Sequence, residues 1–217
     1  MLSADEIVRL YRKRAGNYDL TANAYYLLGF REWAYRQKAV DALQLKKGDT
    51  VVEIGCGTGL NFPLLQRAVG PDGKIIGVDL TDAMLEQAGK RVAENGWRNV
   101  VLIQTDASAF TFPKDINGIL STFAFSMMPE QELIIAHGFQ ALAARGRWVV
   151  LDLRIPPRLA WLAPLFILVT RAFGVNKEWV RQKPWNTIIR QLNGSYAGFY
   201  WGVTFIASGE KKEVHHA

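Results

Sequence analysis

Cysteine is almost absent from this chain. Cys56 is the only one in 217 residues, so no disulfide forms within the chain and nothing argues for an oxidising compartment. Histidine is nearly as scarce. His137, His215 and His216 match no zinc-ligand spacing with Cys56, and two of them sit in a polar tail, so no metal site is expected. A hydrophobic run that could cross a bilayer is missing as well. The apolar stretch from Leu159 to Val169 is too short, and Pro164 breaks it as a helix. The opening residues, Met1 to Glu6, form neither a basic n-region nor an apolar h-region, so no signal peptide is expected and the expected location is cytoplasmic. Internal repeats and low-complexity linkers are also lacking. What remains is an ordinary globular chain, 49% hydrophobic and long enough to bury a core.

The net charge of +6 is confined to one region. Residues 1–152 hold 17 basic and 17 acidic side chains, which cancel. Residues 153–209 carry Arg154, Arg158, Arg171, Lys177, Arg181, Lys183 and Arg190 against the single acid Glu178. Such a segment suits a polyanionic partner, either nucleic acid or an anionic membrane surface.

Short β-rich runs alternate with helical patterns through the middle of the chain, which predicts an α/β fold with helices covering a parallel sheet. Strands are expected at Thr50–Ile54, Lys74–Asp79, Val100–Gln104, Gly118–Phe123 and Arg147–Leu153, and a late one at Phe199–Ala207. Helices are expected at Leu60–Val69, which Gly70-Pro71 stops, after a cap at Thr81 or Asp82, and at Glu130–Leu142. Met84, Leu85, Ala88 and Val92 make one apolar stripe on the second of these. Within a single globular domain, four parts are expected: a helical cap over 1–48, a core over 49–154, an apolar and basic insertion over 155–194, and the last strand and tail over 195–217.

The run Glu53-Ile54-Gly55-Cys56-Gly57-Thr58-Gly59 joins a predicted strand to a predicted helix. Glycines let the backbone turn tightly there and approach a ligand with no Cβ in the way. The amides of the following helix favour an anionic ligand group such as a carboxylate. Asp79, at the end of the second strand, can accept hydrogen bonds from both hydroxyls of a ribose. A nicotinamide dehydrogenase also places an acid about 20 residues past its glycines. Its fingerprint, however, spaces the third glycine one residue further on, and no second mononucleotide half or catalytic group is evident here.

Val51-Val-Glu-Ile-Gly-Cys-Gly-Thr-Gly59 resembles the first motif of class I S-adenosylmethionine-dependent methyltransferases. Ile76-Gly-Val-Asp-Leu-Thr-Asp-Ala-Met-Leu85 resembles the second, Gln104-Thr-Asp-Ala107 the third, and Leu120-Ser-Thr-Phe-Ala-Phe-Ser-Met-Met-Pro-Glu130 the fourth. The resemblance implies a Rossmann-like, doubly wound, mostly parallel sheet that binds S-adenosylmethionine and releases S-adenosylhomocysteine. It implies that Gly55, Gly57, Thr58 and Gly59 shape the loop and that Glu53 orients it or meets the methionine ammonium through water. Asp79 would take the ribose, Leu80 would pack on adenine, and Asp106 with Ala107 would read the adenine edge. Ser121, Thr122 and Phe123 would lie near the methionine end. Cys56 falls at a variable loop position and is not expected to act as a nucleophile.

Methyl transfer needs alignment and exclusion of water more than covalent help. An amine acceptor must also lose a proton, and Tyr18 and Asp19 are the candidate groups. Tyr11-Arg-Lys-Arg-Ala-Gly-Asn-Tyr-Asp19 resembles the N-terminal segment of bacterial phosphatidylethanolamine N-methyltransferases and of ubiquinone/menaquinone C-methyltransferases. Gly29-Phe-Arg-Glu-Trp33 and Tyr200-Trp-Gly-Val-Thr-Phe-Ile-Ala-Ser-Gly209 resemble the phospholipid group more. Where quinone enzymes often show paired histidines, this chain has Ser126-Met127-Met128-Pro129. The expected acceptor is therefore a phospholipid headgroup amine at a membrane surface. A quinone precursor or other small molecule is the alternative, and a non-catalytic scaffold at membranes is a second one. Trp161, Phe166, Ile167, Leu168, Phe173, Trp179 and Trp185, interleaved with the basic residues, suit a lipid interface. Nucleic acid is disfavoured, because Phe123-Ala-Phe-Ser-Met-Met128 is not a polar catalytic motif and no added binding module is evident.

Overall fold

The computed structural model describes residues 3–18, 31–162, 185–192 and 194–212. The Gly29–Trp33 pattern before Arg31 and the apolar and basic side chains between 163 and 184 lie outside the described residues.

Helix α1 (Ala4–Arg12) starts with a capping box, in which Ser3 and Glu6 exchange hydrogen bonds. Helix α2 (Glu32–Ala42) follows. It lays Ala39 and Val40 against the sheet and also buries Glu32 and Arg36. The alternating part then runs β1 (Thr50–Ile54), α3 (Phe62–Val69), β2 (Lys74–Asp79), α4 (Asp82–Glu94), β3 (Val100–Gln104), β4 (Ile116–Thr122), α5 (Gln131–Ala141) and β5 (Leu142–Leu153). Helix α6 (Trp185–Gln191) precedes the closing hairpin, β6 (Ser195–Phe199) and β7 (Thr204–Glu210). The strands form one seven-stranded sheet in the order β3-β2-β1-β4-β5-β7-β6. Every neighbouring pair is parallel except those that β7 makes with β5 and β6. The order reverses between β1 and β4, which opens a crevice at the carboxyl ends of those strands.

The first three strands occupy the ranges predicted for them. The Val and Ile runs of β1 and β2 are buried on both faces, as central parallel strands require, whereas β3 at the sheet edge leaves Val101 exposed. The late strand differs from expectation. Phe199–Ala207 is not one strand, because the chain reverses at Tyr200–Gly202 and the two halves pair with each other. Tyr200, Trp201 and Gly202 have φ of 48°, 55° and 84°. Hairpin turns with successive positive φ favour Asn and Gly, so two aromatics gave no turn signal. Phe123 also leaves its predicted strand, at φ 56°. Strand β5 begins five residues early, at Leu142, directly after α5.

One apolar cluster lies on each face of the sheet. On the face covered by α5, Trp148 is fully buried against Phe112 and Phe125. Gly138 lets α5 approach it, since a Cβ at that position would stand 2.4 Å from the indole. On the other face, α2 and α3 cover Val51, Leu120 and Val149.

Candidate functional site

The crevice at the switch between β1 and β4 holds a cavity lined from every side by residues of different elements. Its floor is the turn after β1. Gly55 and Cys56 donate their amides to the Val78 carbonyl at 2.8 and 3.0 Å, tying the turn to β2. Gly55, Gly57 and Gly59 have φ of 68°, 55° and 76°, in the left-handed region that side chains resist. Gly55 is also required by space, because a Cβ there would meet Ala124 and Met128 at 2.6 and 2.8 Å. A Cβ on Gly57 would meet nothing within 4 Å, so this backbone faces open room. Gly59 stands against the Phe62 ring, and the loop runs on to Asn61 before α3 begins.

Asp79 closes the floor. Its two oxygens accept from Gly57 N–H and Thr81 N–H, both at 2.8 Å. Burial pushes its carboxyl above the usual range, and the amides of Thr81 and Gly57 oppose that. Leu80, Met84, Thr105, Asp106 and Ala107 form one wall. Asp106 bends its own loop by accepting from Ser108 N–H and Oγ. Thr122, Phe123, Met127, Met128 and Pro129 form the opposite wall, and Ile7, Tyr11 and Tyr18 roof the space.

The residues expected at the site divide accordingly. Gly55, Gly57, Asp79, Leu80, Asp106, Ala107, Thr122, Phe123 and Tyr18 line the cavity, and Glu53, Thr58, Gly59 and Ser121 do not. Successive residues of a strand face opposite sides, so Thr122 and Ser121 diverge; the Ser121 hydroxyl is buried with no partner among the described residues. Thr58 is buried and offers its carbonyl to Arg91 Nε at 2.9 Å. Asp19 lies outside the described residues, while Cys56 is buried, with burial holding its thiol protonated.

Glu53 sits beneath the loop in a buried polar network. Asn61 donates to Glu53 Oε1 and, at 2.8 Å, to Thr122 Oγ1. Arg36, reaching in from α2, donates to Asn61 Oδ1 at 3.1 Å and Thr122 Oγ1 at 2.6 Å, and pairs with Glu32 at 2.6 Å. Its guanidinium also lies 5.0 Å over the Phe123 ring. Glu53 Oε2 has no partner among the described residues, and burial raises the carboxyl to about 7. Sequence reasoning missed Arg36, Asn61 and Tyr11. The first lies 17 residues before Glu53, and only folding brings it under the loop. Tyr11 donates to Met127 Sδ at 3.7 Å and stands 6.3 Å from Tyr18, ring to ring. Burial drives its ionisation well above the ordinary range, so it remains a neutral hydroxyl.

The site suits a nucleoside bearing a positive charge. A buried carboxylate stands where ribose hydroxyls can reach it, and apolar side chains on the same wall offer a surface to a flat base. The open room over Gly57 accepts a close backbone approach. Among the described residues no cluster of His, Cys, Asp or Glu is arranged to hold a metal ion.

This sheet order, with its antiparallel seventh strand, is the class I methyltransferase form of the Rossmann-like fold. Residues 51–146 match the family described as a methyltransferase domain. Demethylmenaquinone methyltransferase of Symbiobacterium thermophilum is 29% identical over 150 residues, which cover 68% of this chain and 59% of that protein. The ubiquinone/menaquinone biosynthesis C-methyltransferase of Salmonella arizonae is 28% identical over 155 residues, covering 70% and 61%. The chain thus matches about three fifths of the length of these relatives. Geranyl diphosphate C-methyltransferase from Streptomyces coelicolor, solved with Mg2+, geranyl diphosphate and S-adenosyl-L-homocysteine, superposes with a TM-score of 0.68 at 16% identity, over 83% of this chain and 80% of that one. A S-adenosylmethionine-dependent methyltransferase from Aquifex aeolicus gives 0.58 at 19% identity, over 81% and 88%.

Proposed function

We propose that the protein transfers a methyl group from S-adenosylmethionine to a small apolar acceptor of the quinone-precursor kind. The cavity carries this reading: a glycine floor with Asp79 stands opposite a wall of Met127, Met128 and Phe123 under two tyrosines. The curated relatives that act on menaquinone and ubiquinone precursors support the acceptor class. When bound, the donor supplies an electrophilic sulfonium methyl, so no protein nucleophile is needed. The chain's own work is to bind, orient and exclude water. Asp79 holds the ribose. Glu53, bonded to Asn61, braces the loop beneath the methionine end. Tyr11 and Tyr18 close the roof over the reacting atoms.

A phospholipid headgroup amine is the second reading, and the Tyr11–Tyr18 pair favours it. Two aromatic faces beside a cavity can hold a methylated ammonium. In this reading Tyr18 helps the amine lose its proton, and Asp19 is the other expected participant. One assay tests both, by following S-adenosylhomocysteine formation with a demethylated quinol and with phosphatidylethanolamine. Turnover on the quinol alone supports the first reading, and turnover on the amine alone replaces it with the second. No turnover on any apolar acceptor, with S-adenosylmethionine still bound, leaves the scaffold reading.

A further inference from the structure

Two tryptophans are far more exposed than any other large hydrophobic side chain among the described residues. Trp161 is 75% and Trp201 73% exposed, and the next, Trp33, Val101 and Leu133, are at 42%. The two belong to segments that the fold ties together. Trp161 lies on the 3-10 turn Pro157–Leu162 after β5, and Trp201 lies at the tip of the β6–β7 hairpin. Arg158 donates to the Trp201 carbonyl, Arg154 donates to the Gly202 carbonyl at 3.1 Å, and Gly202 faces Pro156.

Three features give this edge a direction. The hairpin tip holds an aromatic pair in left-handed backbone, where Asn or Gly would be at ease, so an indole is held outward against local preference. Arg154 and Arg158 bond to carbonyls, which leave their charge uncancelled, and among the described residues neither pairs with a carboxylate. Third, the carboxyl end of β5 and the start of β7 share the sheet edge on which the glycine loop opens. Indole beside uncompensated guanidinium matches the chemistry of an anionic lipid interface, which takes the ring at headgroup depth and the cation at phosphate.

We propose that this edge is a docking surface for an anionic lipid membrane, with Trp161 and Trp201 entering the interface and Arg154 and Arg158 meeting the headgroups. It rests on the reading that the acceptor is carried in the lipid phase, and it explains how such an acceptor reaches a cavity on the same edge.

The test is co-sedimentation of the full chain with phosphatidylcholine vesicles, with and without phosphatidylglycerol, at low and high salt. The chain should partition roughly tenfold better onto the anionic vesicles and be released by salt. Trp201→Gly is the sharp variant, because glycine suits the turn. Folding should be kept, with an unchanged or higher Tm, while vesicle binding falls roughly tenfold at either salt. Trp161→Ser should act in the same way. Arg154→Gln with Arg158→Gln should lower binding chiefly at low salt. Affinity for S-adenosylmethionine, measured without vesicles, should not move in any of them. Equal binding to neutral vesicles, or full binding by both tryptophan variants, overturns the proposal. So does a Trp201→Gly chain whose oligomeric state changes in sedimentation, since a second copy would then cover the edge. A wild-type chain that ignores vesicles yet binds S-adenosylmethionine also overturns the docking surface and leaves the cofactor reading standing, whereas failure to bind S-adenosylmethionine overturns that reading.

Discussion

Asp79 carries two duties with one carboxylate. It fixes the glycine loop through Gly57 N–H and the start of α4 through Thr81 N–H, and it faces the cavity. Asp79→Ala should weaken S-adenosylmethionine binding by about 1.5–3 kcal/mol, the range for losing hydrogen bonds to a charged acceptor. Titration calorimetry on a folded variant checks it, and unchanged affinity would remove Asp79 from the binding site. Glu53 makes a different prediction, about pH. Burial raises its carboxyl from 4.5 to about 7, so the folded chain holds a proton that the unfolded chain has already lost. Its stabilising contribution is therefore complete below about pH 4.5 and is lost as pH rises to about 7, on the order of 3 kcal/mol in all. Asp152, raised to about 6 by burial against the amides of Ser126 and Leu153, adds a slope of the same sign. Denaturant unfolding across this window should show stability falling with pH, and Glu53→Gln should flatten much of the fall. An identical slope in that variant would place the titrating group elsewhere.

At the scale of elements, helix α2 matters beyond the apolar surface it covers. Glu32 and Arg36 pair at 5% and 11% side-chain exposure for Arg36 and Glu32 respectively, and the arginine continues into Asn61 and Thr122. Arg36→Met should cost roughly 3–5 kcal/mol, because it leaves Glu32 buried and uncompensated. Glu32→Gln together with Arg36→Met should recover part of that loss, which chemical denaturation of the single and double variants would show. If the double variant is no more stable than the single one, the pair is not coupled. Helix α5 depends instead on the absence of a side chain. Gly138→Ala would press a methyl into the Trp148 ring and should cost about 1–3 kcal/mol through overpacking, whatever alanine gains in helix propensity. A stabilised Gly138→Ala chain would mean that α5 can shift away freely.

The whole molecule should feel its ligand. Binding restricted to the folded state adds about 2.7 kcal/mol when S-adenosylmethionine is present at a hundred times its Kd. In a chain of this size that raises Tm by roughly 5–10 °C, as thermal unfolding with and without the ligand would report. NAD at matched concentration should do nothing, and an equal shift would contradict the cofactor assignment. Among the described residues no helix is long and apolar enough to cross a membrane.

Much of this was legible before folding, and the division has a physical basis. Strands β1, β2 and β3, the glycine turn and Asp79 follow from patterns a few residues long: β-branched runs, glycines at positive φ and an acid at a strand end. Local sequence determined them because the forces involved act locally, or on every strand of a parallel sheet alike. The tertiary structure decided the rest. Ser121 and Thr122 are chemically close, and only the pleat shows which of them turns toward the cavity. Tyr11 became a roof residue, and Arg36 a partner of Thr122 across 86 positions, through docking of an N-terminal segment whose pattern from Tyr11 to Asp19 carries a family likeness but no signal of where it packs. The β6–β7 reversal runs against turn preference at Tyr200 and Trp201 and is held by pairing with β5. Interactions between residues far apart in the chain carry no local signature, so the sequence determined the cofactor floor and the fold class, while the packing of distant segments decided the roof, the buried network and the exposed edge.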